Sequence, residues 1–180
     1  MIKIEMSDRG VNQALTRLAN TTQNLPTVLD LIGEMLVDST KRRFATSTGP
    51  DGQRWASNSP VTILRYLGKY KGSFNKKTGA LTKSGATSAA GKRPLIGETR
   101  DLSRQIFPRV EGSTLYIGST MIYAAAQQFG MRKGYAGVNR RGSPIPWGDI
   151  PARPFLGLSE QDRNNIIETI SDYLTDFSRP

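Results

Sequence analysis

The sequence predicts an α+β fold: a small antiparallel sheet packed by N-terminal and C-terminal amphipathic helices, with long basic loops. Three observations predict it. Apolar residues recur with a helical period at both ends of the chain, two short strand-like runs flank a glycine turn past its middle, and the positive charge is concentrated in the central loops. At 180 residues the chain suits a single domain spanning residues 1–180.

The first residues, Met1 to Met6, alternate polar and apolar side chains, which predicts a short strand. Val11, Ala14, Leu15, Leu18 and Ala19 then fall on one helical face over residues 8–20. Asn24-Leu25-Pro26 marks a break and a restart. Val28, Leu29, Ile32, Met35 and Leu36 carry the helical period on toward Phe44, with Lys41, Arg42 and Arg43 near the C-terminal end, where cations suit the helix dipole.

Gly49-Pro50-Asp51-Gly52 is a dense turn signal, followed by Trp55 among small polar residues. Residues 45–93 read as a basic loop or arm. Within it, Gly68 to Gly91 holds five glycines, five lysines and no acid, without sustained periodicity, which predicts a mobile arm. Order returns at Pro94. Residues 103–110 and 114–118 flank Glu111-Gly112-Ser113 as two antiparallel strands, with Pro108 best placed at an edge. Residues 121–129 read as a helix stopped by Gly130, and residues 131–149 as a second loop rich in glycine and arginine. Pro151 to Leu158 suggests another strand. Ser159 stands three residues before Asp162, the capping-box spacing, and Ile166, Ile167, Ile170, Tyr173, Leu174 and Phe177 form a closing helical stripe.

Composition removes several classes of chemistry. The chain has no cysteine, which excludes a disulfide framework and thiolate metal sites and suits synthesis in a cytosol. It has no histidine either, so the commonest general base near neutral pH is missing along with nitrogen metal ligands. No local pair of carboxylates is set up as acid and base. The expectation is a protein that is not an enzyme and uses no cofactor or metal. Gly85 to Gly91 followed by Lys92 and Arg93 resembles a phosphate-binding loop only superficially. Five residues separate the glycines where four are needed, and Arg93 replaces the hydroxyl that would hold magnesium. The N-terminus lacks the apolar run of a membrane span, and no membrane partner is expected.

The net charge is +10, but residues 41–109 alone hold 15 basic and 3 acidic side chains. Lys69, Lys71, Lys76, Lys77, Lys83, Lys92 and Arg93, with Tyr70 and Phe74 interleaved, are candidates for contact with a DNA backbone. The same charges also suit a solvated or protein-contacting loop. Trp55 and Trp147, both in loops, serve equally as core anchors or as interface residues; Phe155 and the C-terminal stripe read as core.

Several segments together resemble the phage virion morphogenesis family, which includes tail-completion proteins and relatives in Mu-like phages. They are Gly49-Pro-Asp-Gly-Gln-Arg-Trp55 with Ser59-Pro60-Val61-Thr62; Pro94-Leu-Ile-Gly-Glu-Thr99-Arg-Asp-Leu102-Ser103; Ile117-Gly-Ser with Tyr123-Ala124 and Gln128-Phe129-Gly130; and Ile150-Pro-Ala-Arg-Pro-Phe-Leu-Gly-Leu158. Two positions depart from the family pattern: Gln127 stands where histidine is frequent, and Arg100 where Thr-Gly-x-Leu has glycine. The resemblance implies a structural component of a tailed-phage virion, assembled in the host bacterial cytoplasm. The implied roles are a head-tail junction (neck or connector), tail-completion or tail-terminator subunit, working as a homo-oligomeric ring. Its partners would be other neck, tail or head proteins, with non-specific contact to DNA in the lumen. Trp55, Tyr123, Gln128, Phe129, Trp147 and Arg153 are the candidate interface residues. The alternatives are a transient capsid or virion assembly factor and a small sequence-independent DNA-binding protein.

Overall fold

A computed structural model describes residues 8–21 and 25–177. The strand expected over Met1–Met6 lies outside the described residues. Helix α1 runs from Arg9 to Thr21 and α2 from Leu25 to Thr46. The Asp8 carboxylate accepts from the Val11 amide at 3.0 Å, an N-cap that also meets Arg163 at 3.1 Å. Val11 and Leu18 of α1 are buried beside Val28, Ile32 and Leu36 of α2, as their spacing predicts.

Among the described residues the sheet has two strands, β1 (Ile106–Glu111) and β2 (Thr114–Ser119), antiparallel with Ile106 opposite Ser119 and Glu111 opposite Thr114. Their turn places Gly112 at φ +59°, as a two-residue hairpin loop requires. Pro108 stands on β1 opposite Ile117 of β2, and among the described residues no further strand pairs with β1. Helix α2 lies across the sheet at Gly33, where a Cβ would stand 2.7 Å from the Pro108 ring. Glycine at that position is what lets helix and strand approach.

Helix α7 (Glu160–Phe177) closes the fold against α1 and α2. The capping box forms: Ser159 donates from its amide and hydroxyl to Asp162 at 2.8 and 2.7 Å, and the Asp162 amide donates back to the Ser159 hydroxyl at 3.2 Å. Ile166 and Ile170 are buried, whereas Ile167 is 39% exposed on the flank of the stripe. A second cluster joins Val37 and Phe44 of α2 to Trp55, Leu102, Ile106, Ala124 and Phe155.

Two expectations need correction. The arm expected over residues 68–91 contains ordered structure. Helix α3 (Pro60–Gly68) starts on Ser59, whose side chain accepts from the Thr62 amide, with Pro60 in the first turn. Helix α4 (Lys83–Gly91) starts on Thr82, whose side chain accepts from the Gly85 amide. Between them, Asn75 pairs with Ala80 and Thr82 with Ser73 through backbone hydrogen bonds. At Gly85 a Cβ would lie 2.2 Å from the Ser73 carbonyl, so this small-residue helix packs by close backbone approach and carries no apolar stripe. The strand expected over Pro151–Leu158 is likewise absent, and that segment joins no ladder. Residues 131–149 contain no helix or named strand and are tied at their base by a bridge between Met131 and Ile150.

Short helices α5 (Asp101–Arg104) and α6 (Ala124–Phe129) flank the sheet. Gly130 ends α6 at φ +76°, where a Cβ would also press to 2.9 Å from the backbone of Ile150 and Ala152. Arg100 precedes α5 at φ +56°, ψ 27°. This departure from the family's glycine therefore sits in the left-handed region that glycine occupies without strain.

Candidate functional site

The segment Arg153–Gly157 takes few backbone partners, yet its polar groups are satisfied by side chains from three other elements. The Trp55 indole donates to the Pro154 carbonyl at 2.8 Å. Gln128 of α6 accepts from the amides of Phe155 and Leu156 at 2.9 and 3.0 Å, and donates to the Leu156 carbonyl at 3.0 Å. Arg43 of α2 donates to the carbonyls of Phe155 and Gly157 at 2.9 and 2.8 Å and pairs with Asp162. Prolines cannot supply ladder donors, and these side chains replace the missing strand partner.

Arg153 points the other way. Its guanidinium donates to the carbonyls of Ala56 and Ser57, each at 2.8 Å, and so fixes the loop that carries Trp55. Burial lowers the Arg153 pKa, and burial also lowers that of Arg43 against the opposing charge of Asp162. Burial pushes the Asp162 carboxyl up, but hydrogen bonds from Ser39 and Ser159, with the Arg43 charge, hold it below the ordinary aspartate value. Phe44 packs edge-on against Trp55 and tilted against Phe155, at ring distances of 5.3 and 5.4 Å.

The six candidate interface residues thus divide. Trp55, Gln128 and Arg153 are buried and bonded to the chain's own backbone. Tyr123, Phe129 and Trp147 are exposed by 44%, 59% and 62%. Phe129 borders a groove of about 640 Å³ with Met131, Tyr135 and Ile150. Trp147 lies under the Arg65 guanidinium of α3 at 5.3 Å, which ties the second loop to the first.

The candidate DNA-contacting residues divide as well. Lys71, Lys76, Lys77 and Lys83 are exposed. Lys69 pairs with Glu98 at 2.7 Å, Lys92 donates to the Ile96 carbonyl and lies over the Tyr66 ring, and Arg93 donates to the Ala45 carbonyl at the end of α2. Four of the seven are thus exposed cations, and the other three make contacts that hold local structure.

Sequence reasoning read Arg43 only as a cation suited to a helix end and missed its place at the centre of the scaffold; nothing local to residue 43 marks a partner 119 positions away. Among the described residues no group of three acidic, histidine or cysteine side chains is placed to hold a metal, and no helix is long and apolar enough to cross a membrane.

The model of the phage virion morphogenesis family matches residues 6–175. The Mu-like prophage FluMu G protein 2 of Haemophilus influenzae is 39% identical over 80 residues, which is 44% of this chain and 51% of that protein. The match thus spans about half the length of that relative. No solved structure matches.

Proposed function

This chain belongs to the phage virion morphogenesis family, and from its structure we propose a non-catalytic role as a ring subunit at the head-tail junction or at the completed tail end. The observation that carries the reading is the division of labour among its polar and aromatic residues. Arg43, Gln128, Arg153 and Asp162 are buried and spent on holding backbone, which leaves them unavailable as acids, bases or ligands. Phe129, Tyr135 and Trp147 stand exposed on and beside the second loop. Rigid scaffolds that display large aromatics are suited to binding other proteins.

The partners on this reading are further copies of the chain and neighbouring neck, tail or head proteins. Lys71, Lys76, Lys77 and Lys83 favour one addition: in a ring that encloses DNA they would face the duplex as a sequence-independent positive surface. Mass spectrometry of purified, DNA-filled particles tests the role, with copies counted against a portal or tail protein. A low, ring-like copy number supports it. Absence from finished particles would replace it with a transient assembly factor.

A further inference from the structure

Helix α2 carries opposite charges at the two ends of its outward face. Asp30, Glu34 and Asp38 are exposed there around Leu31, itself 59% exposed. Toward the C-terminal end, Lys41 borders a pocket of about 370 Å³ completed by Arg93, Arg100 and Arg104, with Phe44 and Ile96 in its apolar lining. Among the described residues, the ion pairs use Arg43, Lys69, Arg109 and Arg163 and leave these four cations and three carboxylates out. Arg100 keeps φ +56°, a conformation disfavoured for a residue with a side chain, and lines this pocket.

We propose that the pocket receives the Leu31 face of α2 from a second copy of this chain, in a head-to-tail contact. The two surfaces are opposite in charge: three carboxylates run along the helix face beside the apolar Leu31, and four cations line a hollow that also holds the partly buried Ile96. The match cannot be made within one molecule, because Leu31 and Lys41 are fixed about 15 Å apart along the same helix. A phosphodiester backbone would meet the cations but offers nothing apolar to the partly buried Ile96, so the leucine-bearing helix fits better. Each copy has one face and one pocket, and a contact of this type propagates from copy to copy, closing as a ring where the rotation between copies returns to the start. The inference rests on the ring reading above and names the surface that builds it.

The test is the solution mass of the full chain, by light scattering after size-exclusion chromatography, with circular dichroism to verify folding. The substituted side chains are exposed. Wild type should assemble beyond a dimer. Glu34→Lys with Asp38→Lys, and separately Arg100→Glu with Arg104→Glu, should each weaken self-association by roughly tenfold or more. Mixing the two variants should restore assembly, since the reversed face of one now fits the reversed pocket of the other. Wild-type mass in either variant, or a mixture that stays dissociated, overturns the contact, as does a wild-type chain that remains monomeric at high concentration. If the pocket variant loses duplex DNA retention and keeps wild-type mass, the pocket is a phosphate site and the proposal fails. A ring-like copy number in particles alongside any of these failures would leave the ring reading standing without this contact.

Discussion

Arg43 on α2 and Asp162 on α7 form a buried ion pair, with side chains only 7% and 3% exposed, between segments 119 residues apart. The same guanidinium holds two carbonyls of the Pro154–Gly157 segment, and the same carboxylate caps α7. One pair therefore fixes a helix start, a proline-rich segment and the packing of α7 on α2. Replacing Asp162→Asn keeps the shape but strands a buried cation, and should lower unfolding free energy by about 3 kcal/mol in urea titration. Replacing both partners, Arg43→Met with Asp162→Leu, should not restore stability, because the Phe155 and Gly157 carbonyls would then lose their donors. Full recovery in the double variant would show that the pair acts alone.

The pair also sets an acid limit. The Asp162 carboxyl titrates below the ordinary aspartate value in the folded chain, so its contribution is present above the unfolded pKa and is lost as pH falls through the lower folded one. Wild type should lose stability as pH drops below about 4, the aspartate reference range. In Asp162→Asn that acid-dependent loss should be smaller. Thermal melts of the two proteins from pH 7 to pH 2 compare the slopes, and equal slopes would assign the acid sensitivity to other carboxylates.

Gln128 makes three hydrogen bonds to the backbone of Phe155 and Leu156, and the residue is 5% exposed. Gln128→Leu fills similar space but leaves two amides and a carbonyl without partners, at about 1–3 kcal/mol each. The expected outcome is loss of more than about 3 kcal/mol, enough to unfold a marginal domain near body temperature. Gln128→Glu retains the acceptor for both amides and loses the donor to the Leu156 carbonyl, so it should fall between. Chemical denaturation orders the three proteins.

The helices with apolar stripes were legible in the sequence because burial of a face imposes a period, and α1, α2 and α7 each bury one. Helix α4 was not, since Ala and Ser contribute no stripe and Gly85 packs by backbone approach; the readable signal was Thr82 as a cap, outweighed by the surrounding glycines and lysines. The Pro151–Leu158 run reads as a strand because it is short, apolar and bounded by prolines. What satisfies its backbone is Arg43, Trp55 and Gln128, and long-range side-chain bonds leave no local pattern. The candidate interface residues were chosen on motif and loop position, criteria that cannot separate a motif residue kept for the scaffold from one kept for a partner. Burial sorts them only into enclosed residues, Trp55, Gln128 and Arg153, and exposed ones, Tyr123, Phe129 and Trp147.

The two tryptophans make that separation testable. Trp55 is 7% exposed, bonded through its indole and packed edge-on against Phe44, so Trp55→Ala should cost about 3–5 kcal/mol and reduce soluble yield. Trp147 is 62% exposed and touches Arg65 from the solvent side, so Trp147→Ala should cost less than about 1 kcal/mol. If the exposed aromatics serve assembly, the effects on particles must run against that order. Trp147→Ala combined with Phe129→Ala should yield a folded, soluble chain that fails to complement a null phage, with the defect read as unjoined heads and tails or as incomplete tails by electron microscopy. Normal phage yield from the folded double variant would remove these aromatics from the interface and return attention to the cationic surface of Lys71, Lys76, Lys77 and Lys83.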